Sequence, residues 1–178
     1  MGPVIWFIGL SGSGKTTLAL KTREFLEKHP NIYPDVSHWE IIDGDIVRGF
    51  LESEIGYNFE DRRKSVIIMG LLAYYLSKNN NIGVIVANIS PFHDIRQKFR
   101  KEIPRYTEIF CQCTISACMS RDPKGHYKNQ CRNGIKNFIG LDIPFQVPEN
   151  PHLILNTESN TIDQCMVLIS NFFYELEQ

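Results

Sequence analysis

The chain has 178 residues, with 19 Lys plus Arg against 20 Asp plus Glu, a formal charge of −1 and 43% hydrophobic residues. That length fits a single domain over 1–178, able to bury roughly two-thirds of the surface its unfolded form exposes, and the near-zero charge excludes the global basic field behind non-specific nucleic-acid binding. The first apolar run, Val4 to Leu10, is too short for a membrane span and lacks the basic region and cleavage site of a signal peptide, so a cytoplasmic protein with neither nucleic-acid nor membrane partner is expected.

In chain order, Val4-Ile5-Trp6-Phe7-Ile8 is a continuous apolar run, which is how a strand covered on both faces of a parallel sheet reads. A glycine-rich turn follows at once. From Lys15 to about Lys28, Leu18, Leu20, Phe25 and Leu26 recur at near-helical spacing, and Pro30 with Asn31 closes the segment. Trp39 to Ile42 predicts a second short strand, followed by a helix from Asp45 to Glu54 and a turn around Gly56 to Asn58. Glu60 to Ser77 predicts a long helix whose apolar residues from Val66 onward nearly encircle it, so that burial is expected beyond its first turn, with Tyr74 and Tyr75 in the core. Ile82 to Ala87, Arg105 to Gln112 and His152 to Asn156 read as further strands, and Ile162 to Leu176 as a closing helix. Strands alternating with helices define an α/β fold with a central parallel sheet. Between Arg121 and Pro148 the periodicity breaks down into basic residues, glycines and prolines; a stretch of that length inside a compact domain is a functional lid or is disordered, and a basic lid over about 121–148 is expected.

The cysteines at 111, 113, 118, 131 and 165 are odd in number and show no CxxC pair or zinc-like spacing, so reduced thiols are expected, all packing residues except Cys131 in its polar setting. Histidines 29, 38, 126 and 152 carry no motif and read as surface or loop residues.

Gly9-Leu10-Ser11-Gly12-Ser13-Gly14-Lys15-Thr16 satisfies GxxxxGK[ST] and lies between the apolar strand and the helix, where its mechanism requires it. Glycines let the backbone wrap so that several N–H groups point at the β-phosphate of ATP, the helix N-terminus adds its partial positive charge, and Lys15 reaches the β- and γ-oxygens. Thr16 is expected to hold Mg2+. The fold class that follows is a P-loop NTPase three-layer sandwich.

A second feature separates a kinase from a GTPase or motor. There is no NKxD-type guanine-reading tetrapeptide, and the run Val84 to Ala87 ends at Asn88 rather than at the aspartate of a usual Walker B strand. The acidic residues sit instead in Ile41-Ile42-Asp43-Gly44-Asp45, with Arg48 three residues later. Two carboxylates at a strand end can face the metal and the acceptor hydroxyl, where one of them accepts a proton during phosphoryl transfer. A solvated turn with a helix-capping aspartate is the structural alternative.

These residues resemble the adenylylsulfate kinase family, which transfers phosphate from ATP to the ribose 3′-hydroxyl of adenosine 5′-phosphosulfate. The likeness runs nearly end to end: the P-loop Gly9 to Thr17, Asp43-Gly44-Asp45-Ile46-Val47-Arg48, Gly56-Tyr57-Asn58 leading to Asp61-Arg62, Ile89-Ser90-Pro91-Phe92, Arg121-Asp122-Pro123-Lys124-Gly125-His126-Tyr127-Lys128, Ile135 to Asp142, and Pro148-Glu149-Asn150-Pro151. The resemblance implies Asp45 beside the 3′-hydroxyl with Lys15 on the transferred phosphate, Asp43 with Thr16 at magnesium, and Thr17 among the ATP-binding residues. It implies Arg48 and Arg62 on the acceptor's anionic groups. Ile89 and Ser90 would line the acceptor pocket, Tyr57 and Phe138 would sandwich its base, and Arg121 would stack on the ATP adenine. Lys124 and Lys128 would belong to a lid that closes over the phosphates and excludes water. Ser90 is read as a positioning residue, since direct transfer needs no phosphoserine. Members of the family are often dimers, so a homodimer is the assembly the resemblance allows.

The departure follows Arg62. Where the family reads Asp-Arg-x-Glu-Asn-Ile-Arg-Arg, this chain reads Asp61-Arg62-Arg63-Lys64-Ser65-Val66-Ile67-Ile68. Ser65 replaces an asparagine that contacts the acceptor, and Ile67 and Ile68 replace two arginines. Losing such a buried hydrogen-bonding group costs on the order of 1–3 kcal/mol. The altered helix therefore favours a different acceptor, cytidine diphosphoramidate, which relatives of these kinases phosphorylate during synthesis of phosphoramidate-decorated capsules; adenylylsulfate is the alternative. The reading from another class is a catalytically silent nucleotide-binding regulator, against which stands the full set of Lys15, Thr16, Asp43 and Asp45.

Overall fold

The computed structural model describes residues 1–51, 54–123, 125, 127–128 and 137–176. Within strand β1 (Val4–Ile8), Val4, Trp6 and Ile8 pack into one hydrophobic cluster and Ile5 and Phe7 into another, the alternation of an extended chain. All five are buried, which is why the run is apolar throughout: both faces of the sheet are covered. Helix α1 (Lys15–Lys28) follows directly, then a 3-10 turn (Pro30–Ile32), β2 (His38–Asp43) and α2 (Gly44–Phe50). The chain continues through α3 (Phe59–Ser77), β3 (Ile82–Ala87), α4 (His93–Glu102), β4 (Tyr106–Gln112), α5 (Ile115–Arg121), β5 (Leu153–Asn156) and α6 (Ile162–Leu176). The strands form one parallel sheet in the order β2-β3-β1-β4-β5.

Helices α3 and α4 cover the Trp6 face, where Met69, Ala73, Ile95 and Phe99 join the core and the Trp6 and Phe99 rings stack at 5.7 Å. The Phe7 face is closed by α1 and α6 through Leu18, Ala19, Leu26, Ile169 and Phe173. This is the expected three-layer sandwich. Local chemistry sets the helix starts: the Asn58 side chain accepts the Asp61 N–H at 2.8 Å at the start of α3, and Thr114 Oγ1 accepts the Ala117 N–H at 3.3 Å at the start of α5.

The structure corrects several expectations. Helix α2 ends at Phe50, short of Glu54, because the chain turns at Leu51, whose N–H bonds back to Val47 and Arg48. Helix α3 is not buried all round. Its buried residues Ser65, Val66, Met69, Gly70, Ala73 and Ser77 recur at spacings of three and four and form one stripe. Leu71, Leu72 and Tyr75 lie off that stripe at 55%, 42% and 75% exposure, so Tyr75 is not a core residue. Helices α4 and α5 were not anticipated, although α4 is legible afterwards. Ile95 and Phe99 stand four apart, Asp94 lies in the first turn, and Arg100 and Lys101 complement the dipole in the last.

Cys111, Cys118 and Cys165 are buried, and burial pushes the first two thiols up to about 12, as expected of packing residues. Cys113 is half-buried, and Cys131 lies outside the described residues.

Candidate active site

In a parallel sheet the chain leaves every strand at the same edge, and the loops there enclose a crevice where the strand order changes direction. Here the loops after β1, β2, β3 and β5 line one cavity of about 600 Å³. Ser11 to Leu18 form its floor, Asp43, Gly44, Asp45 and Arg48 one wall with Asn88 and Ile89, and Arg121, Pro123, Thr157 and Asn160 the far end.

The floor is the phosphate loop. Its turn requires glycine at 12, where φ is +79° and a Cβ would lie 2.9 Å from the Cys118 carbonyl oxygen. The Lys15 ammonium donates to the Leu10 carbonyl at 2.7 Å, which holds it over the loop. Across the cavity the Thr16 hydroxyl donates to Asp43 Oδ2 at 2.8 Å, and Asp43 Oδ1 accepts the Asp45 N–H at 2.8 Å. Asp43 is thus both the link to the P-loop and the N-cap of α2, which sets Asp45 in the first turn facing the same space. The structural alternative of a capping aspartate and the functional reading are both true of Asp43. A hydroxyl paired with a carboxylate at the phosphate end is an oxygen donor set that suits a hard cation such as Mg2+.

Beside Asp45 in the same wall, Arg48 donates to the Gly56 carbonyl at 2.9 Å and its guanidinium carbon lies 4.5 Å from the Tyr57 ring centroid. Arg62 approaches the same ring at 5.5 Å and donates from Nε to the Tyr57 carbonyl at 3.2 Å. Burial and then the adjacent Arg48 lower the Arg62 guanidinium to about 10, which leaves Arg62 cationic at neutral pH. Two like charges gathered on one aromatic ring prepare a place for an anion.

Ile89 lines the cavity as expected, but Ser90 does not. Ser90 is fully buried behind the wall, at φ +46°, and its hydroxyl accepts from Trp6 Nε1 and donates to Asn88 Oδ1, both at 2.9 Å. Trp6 and Asn88 therefore occupy it, leaving a role in holding the wall. Ser65 is 2% exposed, and its hydroxyl has no partner among the described residues.

The far end of the cavity is built around Arg121, which donates to the Thr157 carbonyl at 2.7 Å and to Cys113 Sγ at 3.6 Å. Beyond it, the buried Asp122 carboxylate accepts the N–H groups of Tyr127 at 3.2 Å and Lys128 at 2.9 Å, leaving the Lys128 side chain exposed. The Tyr127 hydroxyl donates to the Ser11 carbonyl at 3.0 Å, tying the segment after α5 to the P-loop, and Phe138 packs on the Tyr127 ring at 4.7 Å. Lys124 lies outside the described residues.

Sequence reasoning missed Tyr127, Asn160, Thr157 and Arg96. The first three follow strand ends or the P-loop-facing lid, positions that only the topology brings together. Arg96, 3% exposed, donates to the Ser90 and Gln146 carbonyls, each at 2.7 Å, and so clasps the acceptor wall to the returning limb of the lid.

A donor end and an acceptor end divided by two carboxylates, over a phosphate loop between the first strand and first helix, make this a P-loop kinase. The adenylylsulphate kinase family profile matches residues 1–156. The adenylyl-sulfate kinase of Clostridium kluyveri is 39% identical over 173 residues, covering 96% of this chain and 83% of that protein. That of Synechococcus sp. is 35% identical over 168 residues, covering 94% and 92%. Among solved structures, the Mycobacterium tuberculosis APS kinase CysC in complex with AMPPNP and APS has a TM-score of 0.81 at 31% identity, covering 98% of each chain. The chain belongs to the adenylylsulfate kinase family, whose members are ATP-dependent phosphotransferases acting on a nucleotide alcohol group. A gluconokinase from Sinorhizobium meliloti, 16% identical with a TM-score of 0.63 and covering 99% and 93% of the two chains, shares the fold.

Proposed function

We propose that this protein transfers the γ-phosphoryl group of ATP to the ribose 3′-hydroxyl of adenylylsulfate. The observation that supports the chemistry is the continuous linkage from Thr16 through Asp43 to the Asp45 N–H, which ties the start of α2, with Asp45 in its first turn, to the phosphate loop. In this reading the P-loop amides and Lys15 hold the β- and γ-phosphates, and Asp45 accepts the hydroxyl proton as the new P–O bond forms. Thr16 and Asp43 would hold Mg2+, which when bound would neutralise phosphate charge. Arg48 and Arg62, gathered on Tyr57, take the acceptor's anionic tail, and Arg121 stacks on the ATP base. Lys128, with Lys124, closes over the phosphates. The names borne by the relatives favour adenylylsulfate over the cytidine compound as acceptor.

Cytidine diphosphoramidate is the second reading, and helix α3 supports it. Ser65 is buried, its hydroxyl without a partner among the described residues, where the family carries an acceptor-contacting asparagine, and Ile67 packs against the core where the family carries an arginine. Both acceptors present a base, a ribose 3′-hydroxyl and an anionic tail. The test is ADP formation with ATP and Mg2+, run side by side with each acceptor. Preference for the adenosine compound supports the proposal, and preference for the cytidine compound replaces it with the second reading. Acceptor-independent phosphate release, unchanged by either nucleotide, would remove the kinase assignment altogether.

A further inference from the structure

Strand β3 ends in an asparagine, and the bonding around it fixes which way that amide faces. Trp6 Nε1–H can only donate, so Ser90 Oγ accepts from it and must send its own proton elsewhere. Asn88 Oδ1 lies 2.9 Å from that hydroxyl and 2.7 Å from the Ser90 backbone nitrogen, so the same atom receives two donors. It is therefore the carbonyl oxygen, and the NH2 group points the other way. There it meets Gly44: a Cβ at that position would stand 2.3 Å from Asn88 Nδ2. Glycine between Asp43 and Asp45 is thus what admits the amide to the site.

Asn88 is 9% exposed and lines the cavity. Its side chain makes only the two bonds to Ser90, so Nδ2 has no acceptor among the described residues. Polar groups that are this enclosed are ordinarily paired, and one that gives its protons to no acceptor among the described residues while opening on a ligand cavity is suited to give them to the ligand. The position decides which ligand. A usual Walker B strand would end here in a carboxylate; in this chain Asp43 takes the bond to Thr16 instead, and an uncharged donor is left against Gly44 in the cavity that Asp45 also lines. A carboxylate acceptor next to an amide donor matches the hydroxyl-bearing edge of a ribose, each hydroxyl offering a proton and a lone pair.

We infer that Asn88 is a specificity-determining residue of the acceptor site, donating from Nδ2 to a ribose hydroxyl oxygen of the acceptor nucleotide. The inference rests on the kinase reading given above. It is tested with Asn88→Asp, which keeps an oxygen for Ser90 and replaces only the donor, and Asn88→Ala, which removes both. Steady-state rates are measured with the preferred acceptor varied at saturating ATP and with ATP varied at saturating acceptor. Thermal unfolding of each variant is followed alongside. Both substitutions should lower kcat/KM for the acceptor by roughly 10- to 100-fold while the KM for ATP stays within about twofold. Acceptor kcat/KM kept by Asn88→Asp and lost only in Asn88→Ala would mean that Asn88 merely supports Ser90, and an equal rise in both KM values would mean a general charge or folding effect; either overturns the inference. Wild-type protein that phosphorylates neither nucleotide removes the kinase reading and this inference with it. Normal wild-type turnover with an unaffected Asn88→Asp removes the inference alone.

Discussion

Substituting Met for Arg96 keeps an unbranched side chain of similar reach and removes the guanidinium that joins the acceptor wall to the lid. Two bonds of 2.7 Å disappear, to the Ser90 and Gln146 carbonyls, and the first of these is fully enclosed. Gln146 also bonds back, its N–H to the Pro91 carbonyl at 3.0 Å and its side-chain oxygen to the His93 N–H at 2.5 Å, so the clasp is a closed ring of contacts around residues 90–96. A hydrogen bond from a charged donor contributes about 1.5–3 kcal/mol, so two of them approach about 3–6 kcal/mol. Against this stands the relief of a buried charge, whose desolvation already lowers the Arg96 pKa despite the nearby Glu108 carboxylate. The net expectation is a loss of about 3–5 kcal/mol, the usual cost of breaking a buried charged network from one side, which leaves a typical domain folded but weakened. Urea unfolding followed by tryptophan emission reads this directly, because the Trp6 indole is bonded to Ser90 inside the affected region. In the same variant kcat/KM for the acceptor should fall while ATP affinity holds, since the two bonds removed run to Ser90 and Gln146 and not to the phosphate loop. A stability change below about 1 kcal/mol together with an unchanged acceptor KM would refute the clasp.

Asp45→Ala should reduce phosphoryl transfer by at least about 100-fold and leave ATP binding, measured by calorimetry, close to wild type; normal turnover would show that Asp45 is not the proton-accepting carboxylate. His152 gives a pH prediction. Its Nδ1 accepts from the Glu108 N–H at 2.9 Å and the Arg100 guanidinium at 3.3 Å, and burial followed by Arg100 lowers its pKa. The neutral ring is therefore the form the fold prefers. Its contribution to stability is complete above the unfolded histidine value of about 6.5 and is lost as pH falls through the lower folded value. The urea midpoint should drop between pH 7.5 and 5.5 in the wild type and drop less in His152→Gln, and parallel slopes would exclude His152 as the source. The depressed carboxylates Asp35 and Asp94 titrate below this window and do not interfere.

The strands were legible because their job is simple. A strand covered on both faces must be apolar at every position, and β1 and β3 are, so their bounds can be read from composition alone. The P-loop was legible because its glycines, lysine and threonine act at fixed spacing. Helix α3 misled because Leu71, Leu72 and Tyr75 are apolar without being buried, and a sequence pattern records polarity rather than packing. Ser90 misled for a different reason: its neighbours in sequence line the cavity, but a positive φ turns it inward to Trp6, a partner 84 residues away. Arg96 and Tyr127 were invisible for the same cause, since the carbonyls they reach are brought to them only by the fold.

The two ends of the cavity differ in what they are made of, and the difference bears on specificity. Where the proposed function puts ATP, the lining is the glycine loop, whose amides are backbone, the start of α1 and Arg121 held by the Thr157 carbonyl. Backbone chemistry survives substitution, so relatives 35–39% identical can share it without sharing the residues around it. The acceptor end is made of side chains, with Arg48 and Arg62 on Tyr57 and the Asn88 amide over Gly44. A single exchange there changes what is read, and the departures of this chain from its family, Ser65, Ile67 and Ile68, lie on the helix that also carries Arg62. Acceptor preference should therefore move with substitutions on α3 and at the end of β3, while affinity for ATP stays with the loop after β1.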